Sequence, residues 1–209
     1  MNFKQAHDGN YKKGRGAKIR YIVIHYTANR GDTAKNNIDY FAREKVSAGA
    51  HYFVDETSVW QSVKEEDTAY HCGAKAYRHP VCRNANSIGI EMCNCVGAVP
   101  QETEKRTAAL TRDIMKRYAI PVENVLRHGD VTGKNCPAPW MEDAKQWERF
   151  QNKLRGGIES MTKAEAKQII REKVELSEAT IVYLDSYRYG DDLILKLAAA
   201  LQKNTNSKI

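Results

Sequence analysis

Arg20-Tyr21-Ile22-Val23-Ile24-His25 is the stretch on which the fold turns. Its apolar residues run without alternation, so the segment reads as a strand in the middle of a sheet covered on both faces. His25 falls at its carboxyl end. Downstream, Thr33 is placed to cap a helix through Ile38, Phe41 and Ala42 that ends near Gly49. His51-Tyr52-Phe53-Val54 and Ser58-Val59-Trp60-Gln61 then flank Asp55-Glu56-Thr57 as a hairpin.

Ser87-Ile88-Gly89-Ile90-Glu91-Met92 reads as a further strand, with Ile88 and Ile90 on one face and Gly89 and Glu91 on the other. A long helix follows, striped by Thr107, Leu110, Ile114 and Tyr118. Val122 to Arg127 reads as a short strand leading into His128. Pro139 opens a helix in which Trp140, Ala144, Trp147 and Leu154 share a face. Strands alternating with helices predict an α/β sheet.

Gly156-Gly157 divides the chain, so residues 1–155 are expected to form one domain, 156–159 a linker and 160–209 a helical appendage. The appendage reads as three helices: one opened by the capping box Thr162-Lys163-Ala164-Glu165, one capped by Ser177, and one capped by Asp191. The last repeats Leu193, Leu197 and Leu201 at four-residue spacing. From Ile158 onward eight basic residues balance eight acidic ones, so the net charge of +7 lies in the larger piece. A polyanionic partner suits that piece. The basic residues are scattered, with Lys12-Lys13-Gly14-Arg15 as the one cluster and no nucleic-acid-binding motif, so no nucleic acid is expected.

No stretch approaches the roughly 20 apolar residues that span a bilayer, so no membrane association is expected. The first residues, Met1 to Asp8, lack the apolar run of a secretory signal, and the expectation is a protein made in the cytoplasm. Cys72, Cys82, Cys93, Cys95 and Cys136 are an odd set, expected as thiols or metal thiolates in a reducing compartment.

His25 and His128 taken singly read as structural histidines, because neither has a ligand at close spacing. Cys136 changes that reading. It lies eight residues after His128 in Gly133-Lys134-Asn135-Cys136-Pro137, where Lys134 and a bound cation would both favour the thiolate. Four separated motifs then stand in one order: Ile24-His25-Tyr26-Thr27-Ala28; Asn86-Ser87-Ile88-Gly89-Ile90-Glu91; His128; and Lys134 with Cys136-Pro137. Over residues 18 to 150 they resemble the zinc N-acetylmuramoyl-L-alanine amidases, whose fold is shared with peptidoglycan recognition proteins.

The resemblance implies a central mixed sheet flanked by helices, one Zn2+ bound by His25, His128 and Cys136, and a fourth position left open. It implies that Glu91 is the acid/base group, that Lys134 stabilises the oxyanion, and that His71, Thr27 and Asn86 line the substrate site. The implied partner is bacterial peptidoglycan. The similarity is to the branch found in phage and prophage endolysins, which implies holin-type release to the wall.

One position departs from the pattern: many relatives have a tyrosine where this chain has Ala50, ahead of His51-Tyr52, which shifts weight to Glu91. The alternative reading is a non-catalytic peptidoglycan-binding module of the same fold, against which Cys136 speaks. A different zinc hydrolase is disfavoured because neither His-Glu-x-x-His nor a deaminase signature occurs. For the appendage, wall binding and homodimerisation through the C-terminal helices stand side by side.

Overall fold

The computed structural model describes residues 1–155, 163–174, 177–187 and 190–205. Its frame is a six-stranded mixed sheet. In chain order the strands are β1 (Asn2–Phe3), β3 (Tyr21–Tyr26), β4 (Tyr52–Val54), β5 (Val59–Gln61), β7 (Ser87–Met92) and β8 (Val125–Arg127). In space they run β1-β5-β4-β7-β3-β8. The short strands β2 (Tyr11–Lys12) and β6 (Thr68–Ala69) pair separately as an antiparallel ribbon. Strands β4, β7, β3 and β8 are parallel, whereas β5 returns antiparallel to β4 through the expected hairpin.

Ile22, Val23 and Ile24 of β3 are completely buried, as a strand apolar on both faces requires. Each contributes about 1.5–3 kcal/mol by leaving water. Helix α1 (Ala34–Arg43) covers one face, packing Ala34 and Ile38 against Phe53 and Cys93. Tyr52, next to Phe53, points to the opposite face, where its hydroxyl donates to Glu65 at 2.7 Å. Arg117 and Tyr118 of α2 (Gln101–Tyr118) bond the same carboxylate.

Thr33 caps α1, accepting from the Asn36 N–H at 3.1 Å. The helix stops at Arg43, well before Gly49, because a distant side chain captures its end. Asn10 Nδ2 donates to the carbonyls of Phe41 (2.9 Å) and Glu44 (2.7 Å), while its Oδ1 accepts from the N–H groups of Val46 and Ser47. The last helix of the larger piece is likewise two. Helix α4 (Ala138–Glu142) is separated from α5 (Ala144–Leu154) by extended Asp143, whose carboxylate accepts from the Lys145 N–H at 2.9 Å. Trp140, Trp147 and Phe150 still pack together, with the Trp140 and Phe150 rings 4.4 Å apart. The remaining short helix, α3 (His128–Thr132), follows β8 directly.

The described residues group into two compact units, Met1–Gln151 and a second beginning at Asn152. The expected linker at residues 156–159 and the capping residue Thr162 lie outside the described residues. The second unit carries α6 (Lys163–Val174), α7 (Glu178–Ser186) and α8 (Gly190–Thr205). Ser177 caps α7, accepting from the Thr180 N–H. Helix α8 begins at Gly190, so Asp191 lies within it. Ile194 and Ala198 make the buried seam with Ala166 and Ile170, flanked by Leu197 and Leu201, and Leu193 is exposed. The leucine stripe is therefore rotated by about one residue from the packed face. No described helix is long and apolar enough to cross a membrane.

Candidate active site

Parallel strands end on the same edge of a sheet, and here their register gathers the chemistry. His25 on β3 pairs with Glu91 on β7, and Ile24 pairs with Arg127 on β8. His25 and His128 therefore come next in register, one residue beyond that last pair. Glu91 sits on a central strand, between β4 and β3.

Cys136 is folded back onto this edge. Gly133, at φ 85°, ends α3 in the left-handed region that favours glycine. The Gly129 N–H then donates to the Cys136 carbonyl at 2.8 Å. A Cβ on Gly129 would lie 2.6 Å from the Lys134 carbonyl oxygen, so only glycine permits so close a crossing.

His25 Nδ1 and His128 Nδ1 are 3.0 Å apart, and one ligand atom from each of His25, His128 and Cys136 lies within 4.8 Å of the others. All three residues are buried. Burial, reinforced by mutual repulsion and by Lys134, holds His25 well below the usual imidazole range, and His128 is lowered to about 4 by burial and then Lys134. Both rings are thus neutral at neutral pH and offer lone pairs to a cation.

Lys134 does favour the Cys136 thiolate, as expected, but in the protein alone burial outweighs it. Burial pushes the thiol up to about 12, with Glu91 adding to the rise, against the smaller opposing effects of the Tyr26 N–H and Lys134. A cation is what this thiol needs to ionise. Two neutral imidazoles and one thiol, all buried, form a donor set of the zinc type.

Around them lie groups with unmet capacity. Glu91 Oε2 is buried without a hydrogen-bond partner among the described residues. Burial raises its carboxyl to about 8, with Lys134 pulling down and Asp32 pushing up. Lys134 is itself exposed, yet its charge reaches Glu91, His25, His128 and Cys136. Thr27 Oγ1 is also buried and unpartnered, two residues past His25. The site thus combines a cation-binding trio, a carboxyl whose burial holds it mostly protonated at neutral pH and a nearby ammonium, a set suited to hydrolysis of an acyl derivative.

Two of the residues expected at the substrate site are otherwise engaged. His71 is buried, with Nδ1 3.0 Å from His25 Nε2 and Nε2 3.0 Å from Ser87 Oγ, so neither nitrogen is left to line a groove. Asn86 lies at the start of β7, the opposite end from Glu91. Its Oδ1 accepts from the Arg83 N–H at 2.7 Å and its Nδ2 donates to the Val81 carbonyl at 3.0 Å, which braces the turn into β7. The sequence reading missed Ser87 and the steric role of Gly89, although the alternation that grouped Gly89 with Glu91 places Ser87 on the same face.

Ala50 is completely buried in the α1 core beside Ile38 and Phe53. Of the basic cluster, Arg15 is spent inward, donating to the carbonyls of Asn84, Ala85 and Ser87 at 3.0–3.3 Å, while Lys12 and Lys13 are exposed. All five cysteines are free and buried, as expected of a set outside any disulfide framework.

Residues 15–139 match the family model described as N-acetylmuramoyl-L-alanine amidase. Among curated proteins, the amidase CwlL of Bacillus licheniformis is 39% identical over 148 residues, covering 66% of this chain and 41% of that protein. The chain thus spans about two fifths of the length of this relative and of two other curated amidases that it matches. Among solved structures, PlyL superposes with a TM-score of 0.65 at 26% identity, covering 74% of this chain and 96% of that one. The PlyG catalytic domain gives 0.63 at 26%, covering 75% and 95%. With the family model matching more than half of its length and the motif residues His25, Glu91, His128 and Cys136 converging on one sheet edge, the chain belongs to the N-acetylmuramoyl-L-alanine amidase family.

Proposed function

We propose that this chain is a zinc-dependent hydrolase of the amide bond between N-acetylmuramic acid and L-alanine in bacterial peptidoglycan, causing lysis in the manner of an endolysin. The observation that carries this is the buried trio His25, His128 and Cys136 beside the unpartnered carboxyl of Glu91. The names of its curated relatives support the same reaction.

When bound by that trio, zinc supplies Lewis acidity that polarises the scissile carbonyl and lowers the pKa of water. Glu91, whose charged form a cation held by the trio would favour, takes the proton of the attacking water and returns it to the departing L-alanine amine. Lys134 is placed to stabilise the negative charge that develops on the carbonyl oxygen. Thr27, with a free hydroxyl at the rim of β3, is the remaining substrate contact in this reading. Burial of His25 and His128 keeps both rings neutral, so that they bind the ion instead of a proton.

Access to the wall after holin-type release belongs to the same proposal, and finding the protein outside unlysed cells would contradict it. The α6–α8 unit would hold the enzyme on the wall, raising its local concentration on an insoluble substrate.

Mass spectrometry of peptidoglycan digested by the protein tests the activity. Free stem peptides with an unblocked L-Ala amine and peptide-free glycan are expected, and both should vanish with a chelator or in Cys136→Ser. Wall binding without cleavage in any sample would instead establish the non-catalytic module.

A further inference from the structure

The hydrogen bonds behind His25 have a direction. Ser87 Oγ donates to the Arg83 carbonyl at 2.7 Å. A hydroxyl has one proton, so toward His71 Nε2, 3.0 Å away, the same oxygen accepts. His71 therefore carries its proton on Nε2 and presents a lone pair at Nδ1. That lone pair faces His25 Nε2 at 3.0 Å, which must be the protonated nitrogen of His25. The consequence is a bare Nδ1 on His25, on the side of His128 and Cys136.

The surroundings fix this chain of bonds sterically. The backbone of Ser87 is anchored by Arg15, which donates to its carbonyl at 3.0 Å. Gly89, two residues on and so on the same face of β7, leaves the space for the His71 ring. A Cβ there would stand 2.5 Å from His71 Cγ and 2.8 Å from Nδ1. One face of β7 thus carries in sequence Ser87, which orients His71, Gly89, which accommodates it, and Glu91 at the site itself.

We infer that His71, oriented by Ser87 and seated on Gly89, is a positioning residue that fixes His25 in the Nε2–H tautomer and so presents Nδ1 as the metal ligand. The inference rests on His25 being a metal ligand, as proposed above. A ligating histidine whose outer nitrogen loses its partner characteristically binds metal about 10- to 100-fold more weakly.

The test uses the full chain and two readouts. Co2+ is titrated by absorption, and the tautomer of His25 is read from 15N chemical shifts of the metal-free protein. His71→Leu should lower Co2+ affinity about 10- to 100-fold and abolish the single Nε2–H signature of His25. His71→Asn places an amide oxygen near the position of Nδ1 and should recover most of that loss. Gly89→Ala, which displaces the ring without deleting a hydrogen-bonding group, should weaken Co2+ binding as His71→Leu does.

Unchanged affinity in His71→Leu, or equal losses in His71→Leu and His71→Asn, would overturn the inference. Should the wild-type protein take up no Co2+, the metal reading fails, and the tautomer decides the relay by itself: Nε2–H on His25 upholds it and Nδ1–H overturns it. The wild-type tautomer decides in the same way if the variants do not fold.

Discussion

Glu91 shows how one residue can be costly to the fold and necessary to the site. Its buried carboxyl is raised to about 8, so its charged form is disfavoured in the folded, metal-free protein. A carboxyl with a raised folded-state pKa favours folding at low pH and withdraws that support as pH climbs from the ordinary glutamate range through about 8. Each unit of displacement corresponds to about 1.4 kcal/mol. Urea unfolding of the chelated protein should therefore show stability falling between pH 5 and pH 9, and Glu91→Gln should flatten that fall. The same variant should lower amidase turnover by about 10²–10⁴ while leaving metal affinity within a few-fold, and full turnover in Glu91→Gln would remove it from the mechanism. Ala50 is the converse case. Installing the tyrosine that many relatives carry there would overfill the core around Ile38 and Phe53, so Ala50→Tyr should cost about 1–3 kcal/mol in thermal or urea unfolding and gain no activity.

At the scale of elements, the loop from α3 to α4 and the β4–β5 hairpin each turn on a few hydrogen bonds. Cys136 on the first is held up to about 12 while both imidazoles are already neutral, so metal uptake must expel the thiol proton. Chelator competition should show zinc affinity rising at least about tenfold per pH unit between pH 6 and 9, and Cys136→Asp, whose ligand is already ionised, should make that slope shallower by about one proton. Affinity independent of pH in the wild type would show that the thiol is not the ligand. In the hairpin, Asp55 Oδ1 accepts from the N–H groups of Thr57 and Ser58, and Oδ2 accepts from the Ala34 N–H at 2.8 Å, tying the turn to the start of α1. Burial raises the Asp55 carboxyl, but these donors together leave it below its usual value. Asp55→Ala should cost about 1–3 kcal/mol, a penalty present above the ordinary aspartate range and lost as pH falls through the folded-state value. The turn residues were legible in the sequence. The bond from Asp55 to α1, like the capture of the α1 end by Asn10, joins segments 21 or more residues apart and has no local signature.

For the whole molecule, the two packed units predict separable roles. A chain ending at Arg155 should keep its activity on soluble muropeptides and lose sedimentation with purified walls, because the second unit would no longer add its own binding. Undiminished sedimentation would leave dimerisation as the role for α6–α8, which analytical ultracentrifugation of the full chain measures.

The sequence alone determined the order and type of the main elements, because periodicity, caps and turn residues act over a few neighbours. It also determined the trio His25, His128 and Cys136, because those residue types in that order are unusual enough to carry a family resemblance. Tertiary structure alone decided which of the remaining polar residues face the site. The parallel register set His25 beside Glu91. Packing turned His71 inward between Ser87 and His25 and left no nitrogen for a groove. Burial overrode Lys134 at the Cys136 thiol. Each of these depends on pairing or desolvation between segments far apart in the chain, and none has a local trace in the order of residues.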